Sequence, residues 1–324
     1  MKPTYLLPAL LLGLAAGAPS YAQNDFPSKP IMLVVPFPPG GPTDAMARAI
    51  ANEAKATLGQ PIIIENRPGA GGNLGADFVA RAPADGHTLM FGTSGPLAIN
   101  ASLYRKLNYD PLRSFTPVIN IGYLPNVLIV NAALPAKDVR ELIAYDKANA
   151  TKLTYASSGN GASSHLAGVM FNSMAGTGFQ HVPYKGTGPA LNDLLGGHVS
   201  MAFTDVLTAL PFIKSGKLRV LGVTTAMPSR ALPGVPTIAE QGVKGFDVSV
   251  FFGIVAPAAT PPKVVAKLNS AFAAALQKPE LARMLAEQGL EMAASTDPEN
   301  LRSFMTSETA KWQAVVKSSG AQLD

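Results

Sequence analysis

The sequence predicts an α/β fold in which largely parallel sheets are covered by helices. Apolar runs typical of buried strands alternate with helical patterns along the chain. Several loops that follow these runs are rich in glycine, serine and threonine, as turns from strand to helix often are. The chain has 324 residues and is 47% hydrophobic. That is enough for two α/β lobes, because single cores tend to split near this size.

The first 22 residues are predicted to be a cleavable signal peptide. Lys2 precedes an apolar stretch, residues 6–18, that is too short to span a bilayer. Ser20 and Ala22 are small residues at the two positions that a signal peptidase reads, which predicts cleavage after Ala22. The chain has no cysteine for a disulfide or a lipoprotein anchor. We therefore expect an exported protein of a bacterial periplasm.

Charge and composition exclude several classes of function. The formal net charge is +5, but lysine and arginine are scattered and form no basic stripe, so nucleic-acid binding is not expected. The four histidines lack the spacing of a metal site and cysteine is absent, so we expect neither a metal nor a cofactor. A mild positive charge suits a small anionic ligand.

The elements follow one another in the order expected of α/β units. The predicted strands are residues 31–35, 61–65, 88–92, 127–131, 153–156, 181–184, 199–204, 218–224 and 248–256. The predicted helices include residues 73–81, 139–148, 164–174, 188–195 and 206–215. Pro262 and Pro298 lie in the first turns of two further helices, and Leu301, Phe304 and Trp312 in the last one are expected to pack in the core.

Residues 31–48 are the most informative stretch of the chain. A buried strand breaks at Pro36, a proline- and glycine-rich turn follows, and Thr43 or Asp44 can cap the next helix. Free backbone N–H groups and the positive end of the helix dipole then point the same way and attract anions. An ordinary strand-to-helix connection has the same features, so this stretch alone does not decide between the two.

The recurrence of such loops favours an anion-binding cleft. Four loops of this composition follow predicted strands: residues 36–44, 92–96, 157–165 and 184–189. In open α/β sheets ligands collect outside the carboxyl ends of the strands, where these loops must lie. Glycine lets the backbone approach an anion closely, and hydroxyl side chains add further donors.

Searches for catalytic and nucleotide-binding motifs give no match. The loop 65–75 resembles a dinucleotide fingerprint, but Leu74 occupies the position of its last glycine. No G-x-S-x-G motif is present. Lys185 could form a Schiff base in principle, but a charge near a carboxylate or a solvated loop lysine is the favoured interpretation. Asp205 could bind a polar ligand or cap the following helix.

Four segments read together strongly resemble the Bug family, the periplasmic solute-binding receptors of tripartite tricarboxylate transporters: residues 36–44, 65–73, 82–89 and 182–186. The resemblance implies a two-lobed fold like that of type II periplasmic binding proteins, with the lobes joined by two crossover strands, residues 127–131 and 248–256. Residues 23–131 and 247–324 would then form a discontinuous first α/β lobe, and residues 132–246 the second.

The resemblance also implies a ligand class and a set of binding residues. Family ligands are mostly di- and tricarboxylates, acidic amino acids and aromatic acids. Carried over by position, the first-lobe wall would comprise Phe37, Gly40, Gly41, Thr43, Asp44, Thr93 and Ser94. The second-lobe donors would be Ser158, Gly159, Ser163 and Ser164, with Tyr184, Lys185 and Asp205 flanking the ligand. These loops contain few arginines, so no bidentate carboxylate clamp is expected.

We therefore expect a monomeric periplasmic receptor, not an enzyme, that binds a small carboxylate and delivers it to the membrane subunits of a tripartite tricarboxylate transporter. Closure of the lobes would present both docking surfaces together. Two alternatives remain open. One is a secreted hydrolase or transferase that uses the same cleft, with Ser164 or Lys185 as nucleophile. The other is a receptor that presents its ligand to a signalling partner.

Overall fold

A computed structural model describes residues 26–149 and 153–324 of the chain. The predicted signal peptide, residues 1–22, lies outside these residues. Across them, no helix has the length and hydropathy needed to cross a membrane.

Strands and helices alternate through most of the described chain. The strands are β1 (Ile31–Val35), β2 (Ile62–Asn66), β3 (Thr88–Thr93), β4 (Phe115–Asn131), β5 (Thr154–Ser157), β6 (Gln180–Pro183), β7 (Met201–Asp205), β8 (Leu218–Val223), β9 (Ser249–Pro257) and β10 (Glu291–Met292). The helices are α1 (Pro42–Leu58), α2 (Asn73–Ala80), α3 (Asn100–Leu103), α4 (Val139–Ala148), α5 (Ser163–Ala175), α6 (Thr187–Leu195), α7 (Val206–Lys214), α8 (Pro262–Leu276), α9 (Pro279–Glu287) and α10 (Pro298–Ser319).

The long strand β4 connects two groups of strands. Its first half pairs with β9, which continues through β3 and β1 to β2, while its second half pairs with β7 and β8. Strand β7 then leads to β5 and β6. The carboxyl ends of β1, β3, β5 and β6 lead into the four loops that the sequence singled out, and β7 ends at the candidate residue Asp205.

Three expectations about local structure were wrong. The sheet is mixed rather than largely parallel, because β9 runs antiparallel to both β3 and β4. Strand β4 begins at Phe115 rather than at residue 127. Pro117 and Pro125 make its first half unlike a strand in sequence, and its pairing with β9 is irregular near residues 117–122. Helix α1 begins at Pro42 with Gly41 as its N-cap, because the fixed φ of proline suits the first helical position.

The apolar core lies on both faces of the strands. Leu33, Ile129 and Phe272 belong to a buried cluster on one face, while Phe203 and Trp312 belong to a cluster on the other. The aromatic side chains of α10 pack as the sequence predicted, because Trp312 is fully buried and Phe304 packs against Phe251 with ring centroids 5.0 Å apart.

Candidate functional site

The turn between β1 and α1, residues 36–44, is held by the carboxylate of Asp44. Asp44 is buried and accepts hydrogen bonds from the backbone N–H of Gly40 (3.0 Å), from Nε of Arg48 (2.9 Å) and from Nδ2 of Asn66 (2.9 Å). Nδ2 of Asn66 also donates to the carbonyl of Phe37 at 3.1 Å. The carboxylate therefore shapes this turn through contacts within the first lobe.

The electrostatics of Asp44 agree with this role. Burial raises the pKa of its carboxyl, but the hydrogen bonds from Arg48, Gly40 and Asn66 outweigh burial and hold the pKa below its usual range. A charged Asp44 keeps the exposed Gly40 at a φ of +83°, a left-handed conformation that glycine adopts without strain. Gly41 gives α1 no side-chain cap, and because Pro42 has no N–H, the unpaired donors in the first turn of this helix are the N–H groups of Thr43 and Asp44.

At the end of β3, Ser94 serves the packing of the strands. Its Oγ accepts a hydrogen bond from the N–H of Phe251 at 2.9 Å and donates to the carbonyl of Ser249 at 3.3 Å, both on β9. Thr93 is buried and pairs with Phe252 on the same strand. Both residues therefore lie at the junction of β3 and β9, and the oxygen of Ser94 is already engaged there.

The loop between β5 and α5, residues 157–165, is braced by hydroxyl groups. The N–H of Ser158 donates to Oγ of Ser164 at 3.1 Å, and the two hydroxyl oxygens are 2.9 Å apart. The N–H of Gly186 donates to the carbonyl of Ser158, which ties the following loop, residues 184–187, to this one. Helix α5 begins after Ala162, which provides no side-chain cap, so its first N–H groups are also available.

Ser163 ties this loop to the strand that both groups of strands share. Its buried Oγ accepts a hydrogen bond from Nδ2 of Asn126 on β4 at 3.1 Å. Gly161 in the same loop lies close to α3 and to the C-terminal residues, since a Cβ at this position would come within 2.9 Å of Leu103 and 3.7 Å of Leu323. The loop therefore contacts β4, α3 and the C-terminal residues.

The three flanking candidates have different environments. The hydroxyl of Tyr184 donates to Asp193 at 2.6 Å, and burial together with Asp193 raises the pKa of Tyr184 to about 12. Asp205 caps α7 by accepting from the N–H of Thr208, which favours the capping role over a direct ligand contact, and its second oxygen accepts from the hydroxyl of Thr187. Lys185 is exposed.

The predicted residues thus fall into two groups, each with supporting side chains that the sequence did not reveal. Around the first-lobe turn the additions are Asn66 and Arg48. Around the second-lobe loop they are Asn126, His165 and His181. Asn66 stands in a segment already noted for its glycines, but its contact spans 22 residues of sequence and leaves no local pattern.

The arrangement is suited to binding an anion. Helices α1, α5 and α6 begin in candidate loops at Gly41, Ala162 and Gly186, and none of these N-caps makes a side-chain hydrogen bond. Within residues 26–149 and 153–324, no group of three or more histidine, aspartate or glutamate side chains could hold a metal ion.

Comparison with known proteins identifies close relatives. The family profile described as "Tripartite tricarboxylate transporter family receptor" matches residues 46–321. Protein BugT of Bordetella pertussis is 37% identical over 326 aligned positions, which cover all of both chains. The solved structure of periplasmic binding protein BugD is 36% identical, has a TM-score of 0.81, and matches over 92% of this chain and 99% of its own.

Two further solved structures contain a carboxylate. A protein of R. palustris with adipate is 39% identical, with a TM-score of 0.83 over 91% of this chain and 99% of that one. MatC from Rhodopseudomonas palustris with bound malate is 36% identical, with a TM-score of 0.81 over 90% of this chain and all of that one. These likenesses confirm the two-lobed α/β fold predicted from the sequence.

Proposed function

This chain belongs to the family of tripartite tricarboxylate transporter receptors, and from that premise we propose that it captures a small carboxylate between its two lobes in the periplasm and delivers it to the membrane subunits of such a transporter. Its relatives are solute-binding proteins, so it is a solute-binding receptor and not an enzyme. The hydrolase alternative is therefore set aside. The proposal also includes a cleaved signal peptide, the predicted lobe boundaries and a monomeric state.

The observation that carries the proposal is the pair of uncapped helix N-termini in the two braced loops. The turn before α1 and the loop before α5 each leave backbone donors free, while the side chains near them stabilise the turn itself. Two separate groups of donors, one in each predicted lobe, suit a ligand with two carboxylates. Adipate and malate, which two relatives bind, have this chemistry.

A binding screen tests the ligand class. The purified protein is titrated calorimetrically with adipate, malate, tricarboxylates, acidic amino acids and aromatic acids, and each hit is repeated with the matching amide. Denaturation with and without the ligand gives a second readout, because a ligand present at a hundred times its dissociation constant should add about 2.7 kcal/mol to the free energy of unfolding. Binding of an acid but not of its amide supports the proposal. Binding of neutral compounds alone, or of none in the panel, contradicts it.

Two further measurements address closure and delivery. Small-angle scattering should show a smaller radius of gyration when the carboxylate is bound, and an unchanged radius would argue against lobe closure. Deletion of the gene should abolish uptake of the carboxylate identified in the screen. Intact uptake, together with loss of a transcriptional response to that carboxylate, would instead indicate a signalling partner.

A further inference from the structure

Two stacked histidine rings support the second-lobe loop, residues 157–165. His165 is the third residue of α5 and is buried, and His181 lies on the neighbouring strand β6. Their ring centroids are 4.0 Å apart and their planes are inclined by 20°. The ring of Tyr155 also stacks on His181, with centroids 5.0 Å apart, so His181 packs against two rings.

His165 fixes the turn at Gly161. The backbone N–H of Gly161 donates to Nδ1 of His165 at 3.2 Å, which requires an unprotonated Nδ1. Gly161 has a φ of +80°, and a Cβ there would meet Leu103 at 2.9 Å. The turn therefore depends on a residue without a side chain and on one imidazole acceptor.

His181 acts through a hydroxyl group. Its Nε2 lies 2.6 Å from Oγ of Ser157, and the same Oγ accepts from the N–H of Gly159 at 3.2 Å. When Ser157 donates to His181, its oxygen remains free to accept from Gly159, so one hydroxyl connects the ring to the loop. The two rings thus hold Gly159 and Gly161, which precede the ligand-facing start of α5.

We infer that His165 and His181 are positioning residues for ligand binding, which as neutral stacked rings hold the loop around Ser158 in its binding shape and release it when His165 gains a proton. This inference rests on the proposed function for its effect on affinity. The rings act through Gly159, Gly161 and Ser157 and need no contact with the ligand.

The environment of the pair keeps both rings neutral near pH 7. Burial lowers the pKa of His165 to about 4, and burial followed by the neighbouring His165 lowers that of His181 to about 3. A proton on Nδ1 of His165 would face the N–H of Gly161, leaving two donors opposed. Protonated His181 could still donate to Ser157, so His165 is the sensitive member of the pair.

The other titratable groups on the neighbouring elements do not oppose this response. Tyr155 on β5 donates through its hydroxyl to the carbonyl of His165, and burial raises the pKa of that hydroxyl well above its usual value. The acidic groups on β7, on α10 and at the C-terminus have partners elsewhere: Asp205 with Thr208, Glu299 with Arg302, Glu308 with Lys311, and Asp324 with Arg105.

Two substitutions at one position separate the acceptor from the titratable group. His165→Asn keeps an acceptor at the place of Nδ1 but cannot titrate, while His165→Ala removes the acceptor. The exposed His198 provides a matched control as His198→Asn. In the ligand-free protein, the ¹⁵N-correlated amide resonances of Gly159 and Gly161 are followed from pH 7 to pH 3.5.

We expect both amide resonances to shift with a midpoint near pH 4 in the wild type and in His198→Asn, and to stay constant in His165→Asn. At pH 7, His165→Ala should weaken adipate binding about tenfold, and His165→Asn should restore it to within about threefold of the wild type. The rescue distinguishes positioning from a general loss of stability.

Failure of this inference differs from failure of the proposed function. If wild-type protein binds no acid of the panel, the proposed ligand class is contradicted, while the glycine amides still decide whether the histidines hold the loop. Amide shifts in His165→Asn that titrate as in the wild type would overturn the inference. Adipate affinity that is unchanged in His165→Ala would overturn it as well.

Discussion

The turn before α1, here the first-lobe turn, and the loop before α5, here the second-lobe loop, both lead into a helix without a side-chain cap, but they are held by opposite chemistry. In the turn, residues 36–44, a buried charged carboxylate collects donors from Gly40, Arg48 and Asn66. In the loop, residues 157–165, serine hydroxyls and two neutral imidazoles perform the corresponding task. The turn thus depends on a charged carboxylate, whereas the loop depends on side chains that are uncharged.

This difference has consequences for the ligand. A carboxylate near the first-lobe turn meets the field of Asp44, which Arg48 and the hydrogen bonds offset, whereas the described loop residues 157–165 contribute no ionised side chain near pH 7. Both regions lose stability in acid, but over different ranges of pH, because a histidine of the unfolded chain binds a proton already below about pH 6.5, whereas the pKa of Asp44 in the folded chain lies below its ordinary value of 3.8. The two regions can therefore be disturbed independently.

The largest expected effect is on stability in mild acid, and it belongs to the loop. An unfolded histidine binds a proton below about pH 6.5, but folded His165 does so only near pH 4. The unfolded state therefore binds more protons between these values, and the free energy of unfolding falls as the pH falls. We expect His165 to account for a loss of about 2–3 kcal/mol by pH 4.

Urea denaturation at pH 7, 5.5 and 4 checks this expectation. His165→Asn should remove the share of the dependence that His165 contributes and leave that of His181, and His198→Asn should leave the whole dependence as in the wild type. If the wild type, His165→Asn and His198→Asn all lose the same free energy of unfolding between pH 6.5 and 4, groups other than His165 cause that loss. The loop would then not differ from the turn in its response to acid.

The second prediction disturbs the turn alone. Asp44→Ala leaves the N–H of Gly40 and Nδ2 of Asn66 without their acceptor, so we expect a loss of about 2 kcal/mol in unfolding free energy and weaker adipate binding at pH 7. Arg48→Ala is the matched control, because its side chain is half exposed and such ion pairs contribute at most about 1 kcal/mol.

Calorimetry and urea denaturation of the two variants give the comparison. Equal losses in Asp44→Ala and Arg48→Ala would mean that the ion pair, and not the hydrogen bonds to the turn, holds this region. Normal affinity in Asp44→Ala would remove the turn from the binding site.

The sequence was sufficient to predict most elements of the fold, although not α3, α9 or β10, and it did not predict how the strands pair. Apolar runs and glycine-rich turns predicted the strands flanking both loops, since hydrophobic period and turn chemistry are local properties. Strand β4 was only partly recognised, because Pro117 and Pro125 are tolerated through irregular pairing with a strand far along the chain. The antiparallel direction of β9 also depends on such distant pairing.

For the candidate site, the sequence predicted the loops better than the bonds that shape them. Ser158 and Ser164 lie close in sequence, and the structure joins their hydroxyls. By contrast, the contacts from Asn126 to Ser163 and from His181 to Ser157 join separate elements, and nothing in either residue's neighbourhood indicates its partner. Whether the predicted residues bind the ligand stays a prediction, which the variants here are designed to test.

The third prediction tests the link between the loop and β4. Ser163→Ala leaves Nδ2 of the buried Asn126 without its acceptor, and we expect a loss of about 1 kcal/mol in unfolding free energy together with weaker adipate binding. Ser303→Ala, on the exposed side of α10, is the control and should change neither quantity. A loss of stability with unchanged affinity would limit Ser163 to a structural role.

The smallest expected effect concerns Lys185, the exposed cation in the loop before α6. Lys185→Gln removes a charge without disturbing a buried contact, so the free energy of unfolding should stay within about 0.5 kcal/mol of the wild type. If Lys185 contacts a ligand carboxylate, adipate affinity should fall about two- to fivefold at low salt, and the difference should shrink as salt screens the charge. Lys263→Gln, an equally exposed change on α8, controls for net charge. Equal affinities in the two variants would show that Lys185 acts only through the overall field, and that neutral donors alone bind the carboxylate on the second-lobe side.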